Sequence, residues 1–175
     1  MPTPFRYPMA LAVLLLACAC LLPTAAAGQS APGQARIVGG KAVPPPDAPA
    51  TVRRVIAAAN RIATKPYRYG GGHARFEDSG YDCSGAVSYA LRGGGLIDAP
   101  RPSGGLMSWG KRGTGRWITV YAHRGHAYLM VAGLRFDTGY RDRRAARQGV
   151  KPGDGPRWGY ARSTKGFVAR RPASG

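Results

Sequence analysis

The chain has 175 residues, 26 Lys and Arg against eight Asp and Glu, and a formal net charge of +18 at pH 7. The length fits one domain. The charge draws such a domain to polyanions, whether acidic wall polymers or an anionic membrane surface, and equally suits a solvated basic face with no dedicated partner. None of the nucleic-acid-binding motifs is present, so nucleic acid is not an expected partner.

The first 27 residues read as a secretory signal peptide: Arg6 near the start, the apolar run Ala10–Leu22, and Ala25-Ala26-Ala27 as an A-x-A cleavage site. The apolar run is too short to span a bilayer. Leu15-Leu16-Ala17-Cys18 is a loose lipobox that Leu16 fits poorly, so a lipoprotein anchored at Cys18 is the lesser alternative. Residues 28–46, rich in Gly and Pro with Pro44-Pro45-Pro46, read as a disordered linker. Within it, Ile37-Val38-Gly39-Gly40 resembles the mature start of chymotrypsin-like proteases. No GDSGG follows and too few residues remain for two barrels, so that lead is rejected.

The ordered domain is expected over residues 47–168. Val52, Val55, Ile56, Ala59, Ile62 and Ala63 share one helical face within Asp47–Ala63, with Asp47 or Thr51 as cap and Pro66 as stop. Lys65–Gly80 is a loop whose triple glycine permits positive φ, with His73 solvated in it. A second helix starts at Cys83 with Asp82 as N-cap, buries Ala86, Val87, Ala90 and Leu91, and ends at Gly93-Gly94-Gly95. A short helix follows Ser103, and Lys111–Arg116 is a basic turn. Trp117–Ala122, His126–Ala132 and Leu134–Thr138 are β-branched and aromatic runs between turns, an antiparallel meander, with Gly166–Val168 a last strand. Arg141–Arg147 is a charged surface segment, and residues 169–175 are a basic disordered tail.

The chemistry centres on Cys83. Removal of the signal peptide takes Cys18 and Cys20 away and leaves Cys83 unpaired in a compartment that oxidises thiols. A thiol in the first turn of a helix is acidified by the unpaired backbone N–H groups and by the helix dipole. Of the three histidines, His126 opens a strand and is fixed by it, whereas His123 falls in the preceding turn and should be mobile. Asp137 on the next strand can come level with His126 on the same face and orient its ring, with Thr138 as the alternative if the register slips by one. No spacing suits a metal or a phosphate loop, and no cofactor is expected.

Pro-Tyr-Arg-Tyr-Gly-Gly-Gly, then Gly-Tyr-Asp-Cys-Ser-Gly-Ala-Val-Ser-Tyr-Ala-Leu, then a strand-opening His in Gly-His-Ala-Tyr-Leu-Met-Val-Ala-Gly, together resemble the NlpC/P60 family of cell-wall cysteine peptidases over roughly Thr51–Thr138. The resemblance implies an α+β, papain-like fold with the Cys-bearing helix packed on a small antiparallel sheet. It implies a hydrolase of peptidoglycan stem peptides, cutting between D-γ-glutamyl and a diamino acid. The signal peptide makes the expected location secreted or periplasmic, and a monomer is expected. By motif match, Cys83 would be the nucleophile, His126 the base and Tyr67 an oxyanion-hole donor beside the Cys83 N–H. Asp82 and Ser84 would hold the free amine of a stem peptide, although Asp82 equally suits a plain cap. The family's usual Pro-Gly-Asp-Leu-Val-Phe-Phe strand is replaced here by Arg-Trp-Ile-Thr-Val-Tyr-Ala, and Asp137 or Thr138 stands where a histidine is common.

Overall fold

The chain folds around one antiparallel sheet with helices on one face. The computed structural model describes Met1, residues 33–139 and residues 155–173. The signal peptide beyond Met1, the charged segment 141–147 and the last two residues of the basic tail lie outside the described residues.

Among the described residues eleven elements follow one another: β1 (Arg36–Val38), β2 (Lys41–Val43), α1 (Ala50–Ile62), α2 (Cys83–Gly93), α3 (Ser103–Leu106), β3 (Lys111–Arg112), β4 (Ile118–His123), β5 (His126–Val131), β6 (Leu134–Asp137), β7 (Arg157–Gly159) and β8 (Val168–Arg171). β1 and β2 form a hairpin, and the other strands form a six-stranded sheet in the order β3-β8-β4-β5-β6-β7.

Periodicity explains the layers. α1 turns Val52, Val55, Ile56, Ala59 and Ile62 inward. α2 buries Ala86, Val87, Ala90 and Leu91. On β5, Ala127, Leu129 and Val131 join the core formed with both helices, which leaves His126, Tyr128 and Met130 on the other face. That outer face has its own cover. The Phe167 ring lies 5.0 Å from Tyr128 and 4.5 Å from His123, and Tyr121 stacks on Tyr128 at 5.1 Å.

The ordered unit is larger than residues 47–168. Residues 36–43, expected as disordered linker, form the β1–β2 hairpin and are tied to the rest by hydrogen bonds that composition does not reveal. Ala35 N–H donates to the Ala132 carbonyl at 2.8 Å. Asn60 Oδ1 accepts from the Ala42 N–H at 2.9 Å, and Asn60 Nδ2 donates back to the Ala42 carbonyl at 2.8 Å. Residues 168–171, taken mainly as a frayed tail, form β8, which lies between β3 and β4. Its polar side chains serve the backbone of its neighbours: Arg170 donates to the carbonyls of Trp109 at 2.7 Å, Ser108 at 3.1 Å and Gly110 at 2.8 Å.

Three local expectations also change. α1 has Pro49 at its N-cap with no side-chain hydrogen bond, because Asp47 instead accepts from the Gly33 N–H at 3.3 Å. His123 ends β4 rather than lying in a mobile turn; its Nδ1 accepts from the Gly125 N–H at 3.1 Å. Part of the basic turn at 111–116 is β3.

Asn60 also accepts from the Trp158 indole N–H at 2.7 Å, so one side chain joins the hairpin, α1 and β7. Asn60→Ala strands three backbone and indole partners at once. It should cost at least about 1–3 kcal/mol, read as a lower urea midpoint at unchanged m-value.

Candidate active site

The sulfur is placed by the start of α2. Asp82, extended and outside the helix, caps it: Oδ1 accepts from the Gly85 N–H at 2.7 Å. The same carboxylate organises the preceding loop. Oδ2 accepts from the Gly70 N–H at 3.2 Å, and Oδ1 lies 3.0 Å from His73 Nε2 and accepts from Ser84 Oγ at 3.3 Å. Asp78 works in parallel. The Gly72 and Ser79 N–H groups, with the Arg68 guanidinium beside them, hold its carboxyl down to about 2. Gly72 has φ +81°, and a Cβ there would meet the Tyr81 ring at 2.7 Å. At Gly85 a Cβ would collide with the Gly71 carbonyl. The glycines let the loop lie flat against the helix start.

The imidazole is placed by the sheet. His126 opens β5, and Asp137 ends β6. The register pairs Leu129 with Phe136, which sets Asp137 diagonally from His126 rather than level with it. The diagonal is short enough: His126 Nε2 donates to Asp137 Oδ1 at 2.8 Å. Gly139 stands beside the pair, and a Cβ there would lie 3.4 Å from both His126 Nε2 and Asp137 Oδ2. Thr138, on the opposite parity, makes no part of this contact.

Asp137 is 2 % exposed and is surrounded by donors. Its Oδ1 also accepts from the Gly139 N–H at 3.0 Å, and its Oδ2 lies 3.6 Å from Arg135 Nη1 and 3.5 Å from Arg162 Nη1. Burial alone would raise its pKa. The hydrogen bond and charge of His126, the charge of Arg135 and the Gly139 N–H outweigh that and lower it.

Helix and sheet meet at the sulfur. Cys83 is half-buried. The His126 ring, the Ala127 N–H and the Ser103 hydroxyl lie around it and favour its thiolate by hydrogen bonding, with Ser103 Oγ 3.7 Å from Sγ. With Nε2 committed to Asp137, the ring nitrogen left for the sulfur is Nδ1. Burial pushes the thiol up, but these hydrogen bonds and the imidazolium charge bring it below its ordinary value. Burial likewise pulls His126 down, but its bonds to Asp137 and Cys83 and the charges of both push it up to about 9. Both shifts run toward a thiolate–imidazolium pair.

The structure therefore brings Cys83, His126 and Asp137 together. Tyr67 enters the same region through its backbone, bridged to Tyr81 just ahead of Asp82 and Cys83, with its side chain partly exposed. Asp82 and Ser84 flank the sulfur but bond to one another, to His73 and to the loop. His73, expected in solvent, is held by that network. Sequence reasoning missed Ser103, Arg135, Gly139, Arg162 and Phe167. No motif marks them; they come from distant segments that only the folded chain brings together. Among the described residues, no cluster of three or more His, Cys, Asp or Glu is placed to hold a metal ion.

No protein-family model and no curated protein matches the chain. Solved structures do. The P60 domain of an antigen from Mycobacterium avium subspecies paratuberculosis superposes with a TM-score of 0.50 at 20 % identity, covering 69 % of this chain and 93 % of that one. RipD from Mycobacterium tuberculosis, described as a non-catalytic NlpC/p60 domain protein adapted to peptidoglycan binding, also gives 0.50 at 20 % identity, over 71 % of this chain and 98 % of that one. The peptidoglycan hydrolase RipB from Mycobacterium tuberculosis gives 0.49 at 23 % identity, over 69 % of this chain. The chain spans 64 % of the RipB structure and 61 % of that of a hypothetical invasion protein from the same organism. The fold is thus the α+β fold of NlpC/P60 domains.

The ionisation of Cys83 can be followed by its alkylation with iodoacetamide, which reads the thiolate. The rate should rise with pH through an inflection below the roughly 8.5 of a free thiol. In Asp137→Asn the imidazole gives up its proton at lower pH and no longer supports the thiolate. The inflection should then move upward, toward the free-thiol value.

Proposed function

Taking the NlpC/P60 fold as the starting point, we propose that the chain is a member of that family and an exported cysteine peptidase that hydrolyses peptidoglycan stem peptides. The bond proposed is the one between the D-γ-glutamyl residue and the diamino acid that follows it. The observation that carries the reading is the His126 ring, hydrogen-bonded to the buried Asp137 carboxylate on one side and beside the Cys83 sulfur on the other. A structural cysteine needs no imidazole; a nucleophile needs a base and a group to orient it.

In this reading the Cys83 thiolate attacks the scissile carbonyl carbon and forms the C–S bond. The oxyanion is held by the Cys83 N–H, which the first turn of α2 leaves without an intrahelical partner, and by the Tyr67 hydroxyl. His126 passes its Nδ1 proton to the departing amine as the C–N bond breaks. Neutral His126 then takes a proton from water, whose oxygen displaces the sulfur and releases the carboxylate product. Asp137 holds the ring in the tautomer and orientation that both steps require. Cleavage after Ala27 would deliver the domain outside the cytoplasm, with the substrate reached in the periplasm or wall.

A second reading is a non-catalytic wall-binding domain, favoured by the likeness to RipD. A third is a cysteine amidase or acyltransferase acting on another amide. Purified protein incubated with sacculi separates the three by mass spectrometry of the soluble products. Endopeptidase action releases fragments cut within the stem. An amidase frees the whole stem from the sugar, and a binding domain releases nothing while co-sedimenting with the wall.

On the peptidase reading, Cys83→Ala should fold with an unchanged circular dichroism spectrum and release no product. Tyr67→Phe should lower kcat by about 10²–10³, the effect of removing one oxyanion donor. Wild-type rates in Cys83→Ala would overturn the reading.

A further inference from the structure

A second feature lies at the other end of the domain and plays no part in the chemistry of Cys83. A cavity of about 710 Å³ opens between the start of α1, the loop after α2, and the strand ends of β3, β4 and β8. α2 starts at Cys83 and runs 11 residues toward this end, about 16 Å at 1.5 Å per residue. β4 likewise begins here at Ile118 and reaches the active site only at His123, opposite His126.

The lining is amphipathic. Val52, Leu96, Trp117 and Ile118 supply apolar wall, and Lys111, Arg116 and Arg171 supply the charge. All three cationic residues are exposed. The Arg116 guanidinium lies over the Trp117 ring, 5.4 Å from its centre. Among the described residues no carboxylate lines the cavity. The volume is that of a small-molecule site, and apolar walls with a few convergent polar groups are the usual form of such sites.

We propose that this cavity seats an anionic phospholipid, its phosphate against Lys111, Arg116 and Arg171 and the first methylenes of its chains against the apolar wall, and so docks the domain on a membrane surface. Both halves of the lining argue for that occupant. A polymer of sugar and phosphate can lay a ring face on Trp117 but has no alkyl chain to set against Val52 and Leu96. The chain's own leading segment approaches closely, since a Cβ on Gly33 would lie 3.8 Å from the Trp117 ring. Residues 1–46 contain no Asp or Glu, however, so that segment does not complement the cations. Cations beside an anionic bilayer add attraction that salt weakens.

The test uses the full chain and a short-chain lipid below its micelle concentration, so that neither a bilayer nor the apolar run at 10–22 is needed for binding. Dihexanoyl phosphatidylglycerol is titrated while the Trp117 indole N–H is followed by NMR, assigned with Trp117→Phe. The expected result is a saturable shift that the triple variant Lys111→Gln, Arg116→Gln, Arg171→Gln weakens at least tenfold, and that Arg116→Gln alone weakens about threefold. Dihexanoyl phosphatidylcholine, glycerol 3-phosphate and a poly(glycerol phosphate) oligomer should each bind at least tenfold more weakly than the phosphatidylglycerol. Cys83 alkylation at the wild-type rate in Arg116→Gln verifies that the fold is intact. The proposal is overturned by the absence of a saturable shift, by variants that bind as wild type, or by glycerol 3-phosphate or the oligomer binding as tightly as the lipid.

Discussion

A carboxylate buried to the extent of Asp137 is costly to keep ionised unless donors surround it. Here they converge from four parts of the chain: His126 from β5, Arg135 from its own strand, the Gly139 N–H from the turn beyond it, and Arg162 from the segment before β8. This single charge explains why the end of the sheet has the shape it has. It fixes the imidazole by one nitrogen and leaves the other for the sulfur. It also draws the returning chain over the outer face, where the Arg162 guanidinium lies over Tyr128 and Phe167. The closure is not perfect: the buried Tyr128 hydroxyl has no hydrogen-bond partner among the described residues.

A second carboxylate plays the matching part on the helical side. Asp82 caps α2 and, through Gly70 and His73, ties down the loop that leads into it. The helix start is thus fixed by one acid and the imidazole by another, and the Cys83 sulfur lies where the two networks meet. Only eight acidic residues serve this strongly basic chain, and two of them stand at this seam. The engagement of Asp82 and Ser84 with His73 also bears on the amine-binding role proposed for them. In this arrangement their polar atoms bond to the protein itself, which weighs toward the capping role over capture of a free amine.

Part of this was legible from local pattern. The two helices follow from apolar residues at helical spacing, the α2 cap from an Asp directly before the periodic run, and the meander from β-branched runs separated by turns. The parity argument placed His126 and Asp137 on one face, and the contact follows, although across the diagonal. The same local logic failed at both ends of the domain. An eight-residue hairpin with only Ile37, Val38, Ala42 and Val43 as apolar side chains has little to bury on its own, and an Arg-rich end looks like a frayed tail. Both are held by hydrogen bonds to distant backbone and side chains, from Asn60, Ala132 and Gly110, which no window of sequence contains.

By itself the sequence determined that Cys83 would open a helix, that a histidine would open a strand after it, and that an Asp would lie on the same face as that histidine, because each depends on residues near one another in the chain. Only the tertiary structure decided that the sulfur and the ring would face one another, that Ser103, Arg135 and Arg162 would join them, and that cations would line an apolar cavity at the opposite end. Those are contacts between segments tens of residues apart, set by how the layers pack, and local propensity carries no record of them.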